Sequence, residues 1–200
     1  MRRVARLGAI VFVMLGSCAA GGSSHVTEYL DPQTAVTIRT LTAPLVYAHD
    51  APALAVNSRD YLSLGLVEIN NMGARKHFLA LVSWSTIDRK RAGVGPPPVP
   101  DRVEITGGGK SREFTPTSHE ARSLGIGGAL FRPPTGYGGE SWYAVTVADL
   151  RALAANPPES IALLQDGERV TYVPWNAAAA AIDEFVRDIP DPVSAVPRRR

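Results

Sequence analysis

The chain has 200 residues, with 21 Lys and Arg against 19 Asp and Glu, four histidines and a single cysteine. That length suits one domain with an adequate core. A lone cysteine excludes an internal disulfide framework, and a nearly balanced charge excludes the broad basic face that nucleic acid demands.

Met1-Arg2-Arg3-Val4-Ala5-Arg6 is cationic, Leu7 to Leu15 is a short apolar run, and Gly16-Ser17-Cys18 follows. This is the order of parts in a secretory signal, and the run is too short to span a bilayer. Leu15-Gly16-Ser17-Cys18 resembles the lipobox of bacterial lipoproteins. The resemblance implies cleavage before Cys18, acylation of its sulfur with fatty chains such as palmitate, and attachment to a membrane through that lipid. Ala19, standing where Asp would retain such a protein in the inner membrane, implies the outer membrane, facing the periplasm. Residues 1–17 are therefore expected to be a signal peptide and 18–31 a lipidated flexible tether around Gly21-Gly22-Ser23-Ser24. Residues 32–189 are expected to form one domain and 190–200 an irregular basic tail. Without residues 1–17 the chain carries 18 basic and 19 acidic side chains, and without Arg198-Arg199-Arg200 as well, 15 and 19. The basic character lies at the ends.

The domain reads as short strands. Ala35–Leu41, in which Val36 and Ile38 alternate with Thr37 and Arg39, and Leu45–His49 read as strands separated by Thr42-Ala43-Pro44. Tyr61–Asn70 and His77–Ser85 both show period two and flank Asn71-Met72-Gly73, which predicts a long antiparallel hairpin. Both faces of the second arm are apolar, so it is expected to be central and covered on two sides. Gly93–Pro100 is too rich in Pro for regular structure. Arg102–Thr106 and Ser111–Thr115 form a second hairpin around Gly107-Gly108-Gly109-Lys110, and Pro116–Ser141 reads as a long irregular section. Trp142–Val147 returns to strand. Thr146 caps a short helix that Asn156-Pro157-Pro158 stops. Ser160–Gln165 and Arg169–Val173 flank Asp166-Gly167, a third hairpin, and Asn176 caps a helix from Ala177 to Arg187. The sum is a mainly β, antiparallel sandwich with one short helix and a C-terminal helix. By analogy alone, Trp84 suits the buried tryptophan of immunoglobulin-like cores.

Chemical motifs are weak. Gly107–Ser111 ends like a phosphate-binding loop, but Glu104 stands where its first glycine belongs and a strand follows instead of a helix. His25, His49, His77 and His119 lack metal-ligand spacing, so neither metal nor cofactor is expected. Gly139-Glu140-Ser141-Trp142-Tyr143 approaches a nucleophile elbow, but Tyr143 removes the closing glycine. The most suggestive stretch is Gly125–Tyr143, whose Phe131, Arg132, Tyr137, Trp142 and Tyr143 could form a binding loop or cover the end of the core. The expectation is an envelope lipoprotein without catalytic activity. It would bind another envelope protein or a cell-wall polymer, or support an assembly. An envelope hydrolase with a dispersed site is the alternative, and a ligand carrier with an apolar cavity is a third reading.

Overall fold

The computed structural model describes residues 24–52, 57–88, 93, 100–134 and 137–190. Cys18 with its leader and Arg198–Arg200 lie outside the described residues, as does most of the proline-rich stretch. The elements are β1 (Val26–Leu30), β2 (Thr37–Leu41), β3 (Leu45–Asp50), β4 (Arg59–Asn71), β5 (Ala74–Ser85), β6 (Arg102–Gly107), β7 (Lys110–Phe114), β8 (Tyr137–Val145), α1 (Val147–Ala155), β9 (Ser160–Gln165), β10 (Glu168–Asn176) and α2 (Ala179–Arg187). A short 3-10 turn, Ala121–Leu124, precedes β8.

All ten strands belong to one antiparallel sheet that is sandwich-like. Its spine is the β4–β5 hairpin, in register from Asp60–Ser85 to Asn71–Ala74. The free edge of β5 takes β8. The opposite edge of β4 takes two strands in succession: β2 pairs with Val67–Asn70 and β3 with Arg59–Leu64. Pro44 stands between β2 and β3, where a ladder donor would be lost. From that break the sheet divides, β2 carrying β1 and β3 carrying β10, β9, β6 and β7.

The three predicted hairpins are present. Each turns on two residues with positive φ, the type I′ geometry that matches strand twist: Met72-Gly73, Gly108-Gly109 and Asp166-Gly167. Met72 is the costly member, since an unbranched side chain gains nothing in the left-handed region. Asn70 Oδ1 supports that turn by accepting from Gly73 N at 2.8 Å.

Period two on β4 and β5 builds two cores. The inner face carries Leu62, Leu64, Leu66, Leu79 and Leu81, packed with Val103, Ile105, Ile161 and Leu163 from the returning branch and with Leu150, Leu153, Ile182 and Phe185 from the helices. Each fully buried Leu contributes about 1.5–3 kcal/mol. The outer face carries Val67, Ile69, Phe78, Ala80 and Val82. Trp84 also lies on this outer face, in a small cluster with Tyr61 and Ala48, and not in the inner core that the immunoglobulin analogy implied.

Several boundaries differ from expectation, β8 among them, which begins at Tyr137 inside the stretch expected to be irregular and ends at Val145. Val26–Leu30 is a paired edge strand, in register with Leu41–Thr37, so the tether does not run to Asp31; its β-branched and aromatic residues outweigh the Gly/Ser composition before them. Asn176 is the last residue of β10 and does not cap α2, because a bulge between Pro174 and Asn176 prolongs the ladder to Val46. α2 begins at Ala179 with no side-chain cap. By contrast α1 has the capping box expected of Thr146: Thr146 Oγ1 accepts from Asp149 N at 3.1 Å, and Asp149 Oδ2 accepts from Thr146 N at 3.0 Å.

The inner face also buries charge. Strand register sets Arg39 beside Glu68 and Glu68 beside His77. Arg75 Nη1 donates to Glu68 Oε1 at 2.9 Å, and His77 Nε2 lies 3.1 Å from Oε2. Arg39 Nη1 donates to Phe185 O at 2.7 Å and Nη2 to Asp188 at 3.1 Å, placing a cation at the C-terminus of α2, where the helix dipole favours it. The hydrogen bond from His77, then the charges of Arg75 and Arg39, hold the Glu68 carboxyl below its ordinary value in spite of burial. A depressed pKa stabilises the fold above the unfolded value and ceases to do so as pH falls through the folded one. Glu68→Gln should therefore cost roughly 2 kcal/mol at pH 7, with the difference from wild type shrinking below about pH 4.5. Urea titrations across pH 3–7 would check this, and a gap that stays constant with pH would contradict it.

Candidate functional site

The segment between β7 and β8 is the lid of the outer core. It starts by extending the sheet: Thr117 N and Ser118 N donate to Trp142 O at 2.7 and 3.3 Å, and Trp142 N donates to Ser118 O at 2.8 Å. The 3-10 turn follows, its first free amide, Ala121 N, donating to Glu140 Oε1 at 2.8 Å. Gly125, at φ +85°, ends the turn and directs Ile126 back onto the sheet. Asp31 then clamps the lid, accepting from Gly127 N at 2.6 Å and from Gln33 N at 2.9 Å. Those amides, Gly127 first, hold the Asp31 carboxyl below its ordinary value.

Phe131 closes the lid. Its ring enters a notch over Gly65, so close that a Cβ there would lie 1.9 Å from Cε2. With Ile126, Ala121 and Trp142, whose ring meets Phe78 edge-on at 6.4 Å, it completes the outer core.

The five residues singled out in the sequence therefore do not gather on one surface. Phe131, Trp142 and Tyr143 are buried, and the last two project to opposite faces as neighbours in β8. Arg132 is exposed. Tyr137 opens β8 opposite Trp84, and its side chain lies outside the described residues.

Beside the lid lies an open cleft of about 430 Å³, floored by Phe131 and Ala121 and edged by Glu120, Arg122, Arg132 and Glu140. An apolar floor with charges of both signs at the rim suits a segment carrying an apolar side chain between polar groups. Of these residues only Arg132 and Phe131 stood out in the sequence. The acids come from two chain positions that only the lid brings together.

A serine–histidine pair also forms, His119 Nδ1 lying 3.1 Å from Ser141 Oγ. Ser141 is only 3% exposed, and the inner-face space it borders with Leu62, Leu81 and Leu163 holds about 10 Å³, room for one water at most. A nucleophile needs room for its substrate, and a carrier cavity needs far more. Two of the other histidines are held elsewhere, His49 Nδ1 by Thr171 O at 3.0 Å and His77 by Glu68. Among the described residues no three His, Cys, Asp or Glu side chains are placed to hold a metal, and no helix is long and apolar enough to cross a membrane. Gly107-Gly108-Gly109-Lys110 is a plain hairpin end, and Gly107 fits under Asn156 O, which a Cβ would approach to 2.5 Å. No protein family, curated protein or solved structure matches the chain. Fold and geometry define a class, an antiparallel, sandwich-like β protein with two helices and a lidded outer face.

Filling the Gly65 notch should displace Phe131 and open the cleft floor. Gly65→Ala is expected to cost about 1–3 kcal/mol, with faster amide exchange at Ile126 and Gly127 than at Leu79. Unchanged exchange at the lid would show that Phe131 finds another seat.

Proposed function

We propose that this chain is a lipid-anchored protein of the bacterial cell envelope whose β domain binds a partner without catalysing a reaction. The anchor is Cys18, on the strength of the Leu15-Gly16-Ser17-Cys18 resemblance, and the location is the outer membrane on its periplasmic side. The partner is an extended segment of another envelope protein, seated in the cleft beside the lid. The observation that carries the binding role is the cleft: about 430 Å³, apolar below and rimmed by Arg122, Arg132, Glu120 and Glu140. A preformed concave site on a fixed scaffold is where a ligand loses least freedom on binding. Phe131 in its notch and Asp31 on Gly127 supply that fixity.

The alternative, an envelope hydrolase, draws on the His119–Ser141 pair. The burial of Ser141 weighs against it, since the oxygen that would attack is walled in by the inner core.

A photocrosslinking residue at position 132, with a second at Lys76 on the far hairpin as control, tests the binding role in cells. A discrete adduct at 132 that is missing at 76 is the expected outcome. Equal background at both positions would sink it. Labelled palmitate tests the anchor separately: incorporation that Cys18→Ala abolishes is expected, and an unlabelled wild type would overturn the lipoprotein reading.

A further inference from the structure

A second surface stands on the outer face, away from the lid, where four side chains from three strands interlock. The Tyr61 and Trp84 rings are stacked at 4.2 Å and 10°. Trp175 meets Tyr61 edge-on at 5.9 Å and 78°. The Arg59 guanidinium lies over the Trp175 ring, 4.6 Å from its centre. Each partner is fixed from behind. Trp84 Nε1 donates to Ser63 Oγ at 3.0 Å, and Arg59 Nε donates to Asp50 Oδ1 at 2.7 Å. Trp175 itself sits in the bulge of β10, and between β10 and β4 lies the small Ala48 of β3, paired with Val173 on one side and Tyr61 on the other. Tyr61 and Trp84 are buried, whereas Trp175 remains 56% exposed. An indole held by neighbours and still more than half open is a contact surface whose ordering cost has already been met.

We infer that Trp175, Arg59 and Asp50 form a binding site for a pyranose ring of an uncharged oligosaccharide. The apolar C–H face of the sugar lies against the indole face that Arg59 leaves open, and hydroxyls at the edge of that ring reach toward the ion pair. Charge selects this class of ligand. Arg59 and Asp50 neutralise each other, so neither an anion nor a cation gains much here, while a hydroxyl both donates to the carboxylate and accepts from the guanidinium. The Asp50 side chain is 75% exposed and that of Arg59 36%, so both are within a ligand's reach. β4 is paired with β3 and β5 at this point, whereas β10 pairs with β3 from Val173 to Asn176 and with β9 only from Glu168 to Tyr172, so it is the mutual neutralisation of Arg59 and Asp50 that favours a sugar over a charged segment. The site rests on neither the cleft nor the anchor and stands or falls separately from both.

The test is calorimetric titration of the full-length protein in mild detergent with cellotetraose and with N-acetylchitotetraose. Saturable binding of at least one is expected. Trp175→Ala should weaken it about tenfold or more, Arg59→Met should weaken it less, and Arg132→Ala, in the cleft, should leave it unchanged. Thermal midpoints of the variants check that they remain folded, and Arg59→Met carries the comparison if Trp175→Ala does not. No heat of binding with either sugar overturns the proposal, as does undiminished binding by a folded Trp175→Ala. Loss of affinity for phosphatidylglycerol vesicles in Trp175→Ala, without any sugar response, would overturn it in favour of a lipid surface.

Discussion

The architecture follows from one constraint: the β4–β5 hairpin is apolar on both faces and neither can be left to water. An antiparallel sheet commonly solvates one side and buries the other. Here Leu62, Leu64 and Leu66 project inward while Val67 and Ile69 project outward, and β5 repeats the arrangement with Leu79 and Leu81 against Phe78, Ala80 and Val82. Two covers are required. The sheet supplies the first by dividing at Pro44 and bringing β9, β6 and β10, with both helices, over the inner face. A segment with almost no regular structure supplies the second. That explains why so many glycines and prolines follow β7: the lid must lie close to the sheet, and Phe131 can enter only where Gly65 has no side chain.

Charged groups caught under these covers are matched rather than avoided. A buried carboxylate without partners would cost several kcal/mol. Glu68 meets His77 and Arg75, and Arg39 meets the carbonyl end of α2. Asp31 meets two backbone amides. These pairings add modestly to net stability, but they fix register: a one-residue slip of β2 against β4 would move Arg39 to the outer face and strand it away from Glu68 and α2. Tyr143 is treated differently. It lies at the centre of the inner core, and burial raises its phenol well above the ordinary value, so it remains neutral.

Elements with a local signature were legible in the sequence. The three hairpins, the two-sided burial of β5 and the Thr146 cap each depend on residues within a few positions of one another. The lid was not legible, because its order comes from Asp31 and Gly65, far away in sequence and unremarkable in type. Proximity in sequence also misled. Phe131, Trp142 and Tyr143 look like one aromatic surface when written in a line, yet the Gly65 notch and the pleat of β8 bury Phe131 and Trp142 in the outer core and Tyr143 in the inner one. The Trp175 cluster was missed for the opposite reason: Arg59, Tyr61, Trp84 and Trp175 are spread over more than a hundred positions and meet only through strand pairing and a bulge. The single available cue was a tryptophan between Pro174 and Asn176, at the end of a strand that alternation alone would have ended sooner.

The two open features share a side. The cleft borders Phe131 and Ala121 of the outer core, and the Trp175 cluster builds on Tyr61, Trp84 and Ala48 of the same face. The chain arrives from the other side: Ser24, the first described residue, donates to Glu184 of α2 at 2.6 Å, and α2 packs into the inner core. An anchor upstream of Ser24, as proposed above, would join the helical side of the sheet and leave the lidded side clear. The need to cover two apolar faces by different means thus has a consequence beyond stability. The closed cover, built of helices and strands, lies on the side where Ser24 begins the described chain, and the looser cover carries the cleft and the exposed indole on the other.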